Sequence, residues 1–489
     1  MNQDLEGEQR MLINGSLCEA ASGKTYDNLN PATEQIIGQA ADGGLQDMDM
    51  AIAAARRAFD ETSWSTDVAF RQRCLEQFQA ALEEEKEILR LQTVAEAGVP
   101  LQLTYGPQGD TIIEDMKWTI AALSDFSWER ELPIREFFGM TSKRFVWKEA
   151  TGVVGAITPW NYPLQVNLAK VSAALAAGNT VVLKPAVETP WNATFLGRLV
   201  CEKTDIPAGV FNIVTSSDPA TVAETLVADP RVDMLSFTGS TAVGRKVMAN
   251  GAARVKKVFL ELGGKSALII LDDADFGLAV PAASTVCVHA GQGCAMSTRL
   301  LLPRSRYDEG VELLKTAFGM ISYGDPMDPA HLMGPLISEK QRDRVLGYIE
   351  RGRAEGARCL VGGGRPGHLE RGYYVEPTLF VDVDNSMTIA REEVFGPVLV
   401  VIPYEDDDDA VRIANDSDYG LSGGITSAST ERALAMARRI RTGTLSINGG
   451  MWFGPDAPFG GYKQSGVGRE MGIEGLEAYL QTKTVGLPV

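Results

Sequence analysis

Apolar residues along the 489-residue chain keep different rhythms in different stretches, and the changes of rhythm predict the architecture. Residues 1–40 hold only short apolar runs broken by turn signals. Asn14-Gly15 after Met11–Ile13 marks a hairpin and Asn30-Pro31 a turn. A helical period follows over 46–60, with Asp47 as a cap, and again over Val68–Ala97 and Gly109–Arg130. From Gly152 the rhythm changes to short, fully apolar runs: Gly152–Ile157, Thr180–Lys184, Phe211–Val214, Met234–Phe237 and Val258–Leu260. Helical stretches at 164–177, 191–203, 219–228 and 241–250 lie between them. Short buried strands alternating with helices predict a parallel, doubly wound sheet. Such sheets bind ligands beyond the carboxyl ends of their strands, so chemistry is expected just after each apolar run.

A second alternating block runs from Ala267 to Ile447, with strands expected at Ala267–Leu271, Leu300–Leu302, Val398–Val401 and Leu445–Ile447. Asp272–Asp275 caps a helix leading toward Cys294, and Phe145–Lys148 reads as a strand outside both blocks. No low-complexity linker separates the blocks, so they are expected to pack closely. The acidic run Glu405–Asp409 reads as the solvated first turn of a helix.

Composition narrows the classes. A formal net charge of -18 argues against nucleic acid or an anionic membrane as partner. No apolar run approaches the length of a membrane span, and the acidic N-terminal residues carry no signal-peptide core. Six scattered cysteines without a CxxC pair, and three histidines without ligand spacing, give neither a disulfide framework nor a zinc site. The expected setting is a reducing cytoplasm.

Candidate chemistry sits where the sheet rule puts it. Val286–Arg299 is a helix-like apolar run that breaks at Gly291-Gln292-Gly293, with Cys294 just beyond. Free backbone N–H groups there would favour a thiolate and could hold an oxyanion; the plain alternative is a buried, inert thiol. Phe237–Arg245 reads as strand, glycine turn, Ser/Thr cap and helix, a phosphate site or an ordinary turn. Its GxxxxG spacing, Gly239 to Gly244, is neither a GxGxxG fingerprint nor a P-loop. Glu261 has the spacing of a ribose-binding carboxylate, yet it ends a strand before Leu262-Gly263-Gly264, which suits a general base. Thr158–Pro163 follows the first strand, where Asn161 could donate to an oxyanion or merely satisfy a turn. Lys184 follows the second strand, within reach of a ribose or phosphate.

These stretches together resemble the NAD(P)-dependent aldehyde dehydrogenase superfamily, nearly end to end. The motifs are Ile13–Gly15, Asn30–Thr33, Thr158–Asn161, Phe237–Ser240, Leu260–Lys265, Gly291–Cys294, Glu392–Pro397 and Pro458–Gly466. The resemblance implies an aldehyde dehydrogenase-like α/β fold: two doubly wound Rossmann-like domains plus a small β bridging and oligomerisation element. It implies a cofactor-binding domain at 1–127 and 151–261, a catalytic domain at 262–465 and a bridging element at 128–150 and 466–489. A homodimer or homotetramer is expected.

By the same resemblance Cys294 is the nucleophile, Glu261 the general base and Asn161 an oxyanion donor with the Cys294 N–H; Lys170 and Glu470 relay the proton. NAD or NADP would be held by Thr158, Pro159, Trp160, Lys184, Gly239, Ser240, Gly244, Leu262, Glu393 and Phe395. The substrate tunnel would be lined by Tyr162, Val166, Ala169, Gly293, Ala295, Met451, Trp452, Phe453 and Phe459. That set contains no carboxylate or arginine, which points to an uncharged aromatic or medium-to-long aliphatic aldehyde over a semialdehyde or betaine aldehyde. One departure concerns the cofactor. The run Lys184-Pro185-Ala186-Val187 lacks the family's usual glutamate at its fourth position, the acid being displaced to Glu188. A barrier to NADP is therefore missing; NAD stays ahead because no phosphate partner is added. A CoA-acylating enzyme and a non-catalytic relative are the alternatives, disfavoured by intact Glu261, Cys294 and Asn161.

Overall fold

In the computed structural model, which describes Leu5 and residues 7–489, the apolar runs after Gly152 form one eight-stranded sheet. Its five parallel strands lie in the order Lys257–Glu261, Met234–Thr238, Val153–Ile157, Thr180–Lys184, Phe211–Ile213. The chain starts in the middle and winds outward both ways. The turn at the switch point is therefore Thr158–Tyr162, flanked by the ends of the strands carrying Lys184 and Thr238. Met11–Ile13 and Ser16–Cys18 extend one edge as a hairpin around Asn14 and Gly15, both with positive φ. The strands are near-continuously buried because helices cover both faces.

The second block forms a seven-stranded sheet, ordered Arg358–Val361, Thr378–Val381, Val398–Tyr404, Arg299–Pro303, Ala267–Ile270, Gly423–Thr426, Ser446–Ile447. Its neighbours run parallel except for Arg358–Val361. Three of these strands, Arg358–Val361, Thr378–Val381 and Gly423–Thr426, were not visible in the pattern. Gly423-Gly424 opens a strand with residues of poor strand propensity, and Arg358–Val361 is a half-exposed edge. Asp125 ends the helix expected to reach Arg130: Phe126 is already extended and Glu129 starts a strand. The long helix expected over Val68–Ala97 is two helices meeting at Glu85, in an acidic stretch where Glu83 and Glu87 repel.

Glu129–Phe137, Met140–Ala150 and Leu480–Pro488 make a three-stranded antiparallel sheet. The rest of the C-terminal stretch lies elsewhere. Gly466–Val467 pairs with Lys257–Glu261, and the helix Gly472–Ala478 packs on Asp110–Asp125 and Pro163–Ala176. Among the described residues, no helix is long and apolar enough to cross a membrane and no His, Cys, Asp and Glu cluster is placed to hold a metal. The cysteines are free thiols. The N-terminal signal-peptide reading falls largely on residues 1–4 and 6, outside the described residues.

Candidate active site

The loop bearing Cys294 is not the broken α-helix that the pattern suggests. Only Phe276–Ala279 is α-helical, and its Asp275 cap makes no side-chain cap bond. Pro281–Gly291 continues as tight 3₁₀-type turns that fail at Val288, which is extended. His289, Ala290 and Gly291 then take successive left-handed conformations, φ 51°, 52° and 70°. A β-carbon at Gly291 would strike the carbonyl of Gly396, so this passage needs glycine twice over, for its φ and for the close approach. The N–H groups near Cys294 therefore do not belong to a helix terminus. The loop is held instead by Gln292, whose side chain donates to the His289 and Pro335 carbonyls and accepts from the Ile337 N–H.

Electrostatics also depart from the expected thiolate. Burial first, then the carboxylates of Glu261, Glu393 and Glu470, push the Cys294 thiol up to about 12; its own backbone N–H pulls the other way. A β-carbon on Gly264 would lie 2.5 Å from the Cys294 carbonyl, so the strand-end turn after Glu261 presses directly on the cysteine loop.

Glu261 ends its strand 2 % exposed, and neither carboxylate oxygen has a hydrogen-bond partner. Burial, then Glu470, hold its pKa well above the carboxylate range, with Lys170 and Arg469 opposing. Lys170 and Glu470 form a buried ion pair of 2.8 Å, the ammonium also 4.5 Å from the Phe259 ring centroid. A base, a like charge that strengthens it and a buried lysine are thus gathered at one place. The charge of Glu261 acts on the Cys294 thiol, which favours the base reading over the ribose-carboxylate alternative.

Asn161 lies in the switch-point turn, positioned by both sides of the structure. Its side-chain amide donates to the Gln292 carbonyl at 2.9 Å. An amide nitrogen carries two N–H bonds, so this contact leaves the second one over. Its main-chain carbonyl accepts from Gln108 Nε2 at 3.0 Å and from His289 Nε2 at 2.8 Å. Thr158, in the same turn, donates its hydroxyl to Asn167 at 2.6 Å.

On the cofactor side, Ser240 caps the helix Thr241–Ala252 by accepting the Val243 N–H, after Gly239. Gly244 lies against Leu262, leaving no room for a β-carbon between that helix and the strand end. Lys184 is buried, donates to the Pro185 carbonyl at 2.7 Å, and is pushed down to about 8 by burial. Glu393 accepts the Gly264 N–H at 2.9 Å, and burial raises it to about 7. Phe395, at φ 60°, meets Trp160 edge-to-face at 5.4 Å, with half-buried Pro159 before it; the Phe395 carbonyl accepts from Gln341. A helix N-terminus for a pyrophosphate, a buried ammonium and a half-buried carboxylate with a free oxygen suit the parts of a nicotinamide dinucleotide.

Among the tunnel residues, Trp452 stacks on Phe459 (5.6 Å, 12°) and meets Phe453 edge-on at 6.0 Å. Phe459 is tied to Glu470 through paired backbone bonds of 2.7 Å, linking the aromatic wall to the relay. Tyr162, Val166, Ala169, Gly293 and Ala295 are half-buried. Met451 is 85 % exposed and belongs to the rim rather than the wall. Asp115, on the helix Asp110–Asp125, borders a crevice that also contains Ala169, Pro455 and Gly472. One of its oxygens is buried without a partner; burial, then Glu114 and Asp456, raise it to about 6.

Sequence reasoning missed the residues that contact the candidate site loops: Gln108, Asn167, His289 and Gln292. Gln292 alone carried a signal, lying inside the Gly291–Cys294 motif. Comparisons with known proteins converge on one family. A model of the aldehyde dehydrogenase family matches residues 18–485. An aldehyde dehydrogenase of Mycobacterium tuberculosis, in complex with NAD+, superposes with a TM-score of 0.94 at 42% identity, covering 98% of each chain. An Ala-for-Cys variant of aldehyde dehydrogenase C from Pseudomonas syringae, with NAD+ and octanal, gives 0.92 at 39%, covering 99% of this chain and 97% of that one. Betaine aldehyde dehydrogenase of Staphylococcus aureus, with NAD+, gives 0.94 at 36%, covering 98% and 95%.

Proposed function

The chain belongs to the aldehyde dehydrogenase family, and from that premise we propose that it oxidises an uncharged aromatic or medium-to-long aliphatic aldehyde to its carboxylic acid with NAD+, using Cys294 and Glu261. The observation that carries the site assignment is Glu261: a buried carboxylate without partners, close enough to Cys294 to raise its thiol. Deprotonated Cys294 adds to the aldehyde carbon, and the new oxyanion is received by the free N–H of Asn161 and the Cys294 N–H. NAD+, when bound, supplies the hydride acceptor. Ser240 with its helix N-terminus would hold the pyrophosphate, Lys184 the adenosine ribose and Glu393 the nicotinamide ribose, with Phe395 beside the ring. Glu261 then takes a proton from water, which attacks the thioester and frees the acid. Lys170 and Glu470 carry that proton away from Glu261. An intact base favours water over CoA as the acyl acceptor.

The substrate class rests on the Trp452–Phe459 wall and on the octanal that a relative binds. Asp115 supports a second reading, a cation-bearing aldehyde, as does the likeness to a betaine aldehyde dehydrogenase. The test is kcat/KM for octanal-like and benzaldehyde-like compounds against betaine aldehyde and succinic semialdehyde, with NAD+ and NADP+ side by side. A charged aldehyde winning tenfold or more, about 1.4 kcal/mol of transition-state binding, overturns the first reading. The sheet ending in Leu480–Pro488 exposes Ile134, Phe137, Phe138 and Met140 on its hairpin. Such an edge is a liability unless covered, and a second copy of the chain is the proposed cover. A single species at monomer mass in sedimentation at micromolar protein removes that part. The free cysteines and the absence of a long apolar helix among the described residues support a cytoplasmic setting.

A further inference from the structure

His289 is fully buried, and no role in the chemistry requires a titratable ring at this point. Its backbone is left-handed, a region that non-glycine residues seldom enter and where His is among the enriched exceptions. Its Nε2 lies 2.8 Å from the Asn161 carbonyl, which can only accept, so Nε2 carries the proton. Nδ1 is buried with no partner, which fits a neutral ring: a charged one would bury a second, unsatisfied donor. Burial lowers the pKa to about 4, consistent with that tautomer. Gln108 donates to the same carbonyl from the opposite element, and the Tyr162 ring meets the imidazole edge-on at 5.7 Å. The bonds close a ring: His289 to the Asn161 carbonyl, the Asn161 amide to the Gln292 carbonyl, and the Gln292 amide to the His289 carbonyl.

We propose that His289 is a positioning residue that keeps the Asn161 amide in register with the cysteine loop, by donating its Nε2–H to the Asn161 carbonyl. The inference rests on Asn161 being the oxyanion donor. The ring of bonds joins two segments from different sheets, the switch-point turn and the strained loop before Cys294. A slip between them would move the free Asn161 N–H away from the carbon bound to Cys294 without emptying the tunnel. Loss of the latch is therefore a loss in the acylation rate and not in substrate binding.

The test uses His289→Phe, which keeps a ring and removes the donor, and His289→Gln, whose amide nitrogen reaches near the Nε2 position. The readouts are the pre-steady-state burst of reduced cofactor, kcat, KM and the NAD+ dissociation constant. His289→Phe is expected to slow the burst at least tenfold, with KM and the NAD+ constant within threefold of the parent, and His289→Gln to recover most of the rate. In an Asn161→Ala background, adding His289→Phe should cost no more than twofold, because the amide it positions is gone. Gln108→Met, which removes the other donor, should slow the burst in the same selective way, and it carries the test if His289→Phe does not fold. A parental burst in His289→Phe, an equal loss in both backgrounds, or no recovery in a folded His289→Gln overturns the proposal. A parental burst in Asn161→Ala instead overturns the catalytic reading of Asn161 on which it stands.

Discussion

Replacing Glu261 by Gln should make the protein more stable while removing the step that depends on it. The carboxylate is 2 % exposed, both oxygens lack partners, and the like charge of Glu470 stands near. In the unfolded chain it titrates near about 4.3. Its folded pKa is raised, so between the two values the folded state binds more protons than the unfolded. Stability therefore falls as pH rises through that window, and above it the whole cost of the buried charge is carried. A buried acceptor left without a partner costs about 1–3 kcal/mol, more when charged. A neutral isostere should recover about 1–3 kcal/mol at pH 8.5 on the same scale. Unfolding entropy scales with chain length, so for a chain of this size the melting temperature should rise by about 1–3 °C. Calorimetric scans of parent and variant at pH 8.5 and 5.5 measure it, and the gain should shrink at the lower pH. Stopped-flow kinetics of the same variant should retain a first-turnover burst while steady-state turnover collapses. A variant no more stable than the parent at pH 8.5, or one whose advantage grows toward acid, would refute the electrostatic account of this site.

Cys294→Ala should keep NAD+ binding by fluorescence titration and lose essentially all aldehyde oxidation. Cys287 cannot take over, being fully buried against the Pro397 carbonyl with its thiol pushed well up by that burial. Lys170→Met breaks a buried pair and should cost about 3–5 kcal/mol in denaturant unfolding. It also removes the cation that lowers Glu261, so the rising limb of kcat against pH should move to higher pH; an unmoved limb separates Lys170 from the base. Val187→Glu should shift preference toward NAD+ by about 1 kcal/mol or more through repulsion of a 2′-phosphate. An unchanged NADP+/NAD+ ratio of kcat/KM would show that Val187 does not face the adenosine ribose.

The parallel core was legible because its strands are buried on both faces and read as unbroken apolar runs, as Thr180–Lys184 and Met234–Thr238 do. Thr378–Val381 was missed although it carries that signature, and two strands without it were missed as well. Gly423–Thr426 packs against Ala267–Ile270 through backbone rather than side chains, and Arg358–Val361 has one face in solvent. At the site, the residues proposed to react stand in compact motifs, and those that contact them do not. Cys294, Glu261 and Asn161 stand in compact motifs beside the strand ends. Gln108 and His289 reach Asn161 from 53 and 128 residues away, and no local pattern encodes such a contact. Asp115 was hidden for another reason: it sits on a helix otherwise read by its apolar stripe, and only packing turns it toward Ala169.

The thiol shows most sharply what a motif leaves undetermined. A cysteine after a glycine break suggests a helix terminus and a depressed pKa. Three left-handed residues remove that terminus, and burial first, then three carboxylates, push the thiol the other way, up to about 12. The same burial and the same Glu470 charge raise Glu261. Proton transfer between two groups depends on the difference of their pKa values, and a shared environment shifts both upward. Burial thus raises the proposed base together with the proposed acid, which makes a transfer from Cys294 to Glu261 less uphill than the thiol's own value implies.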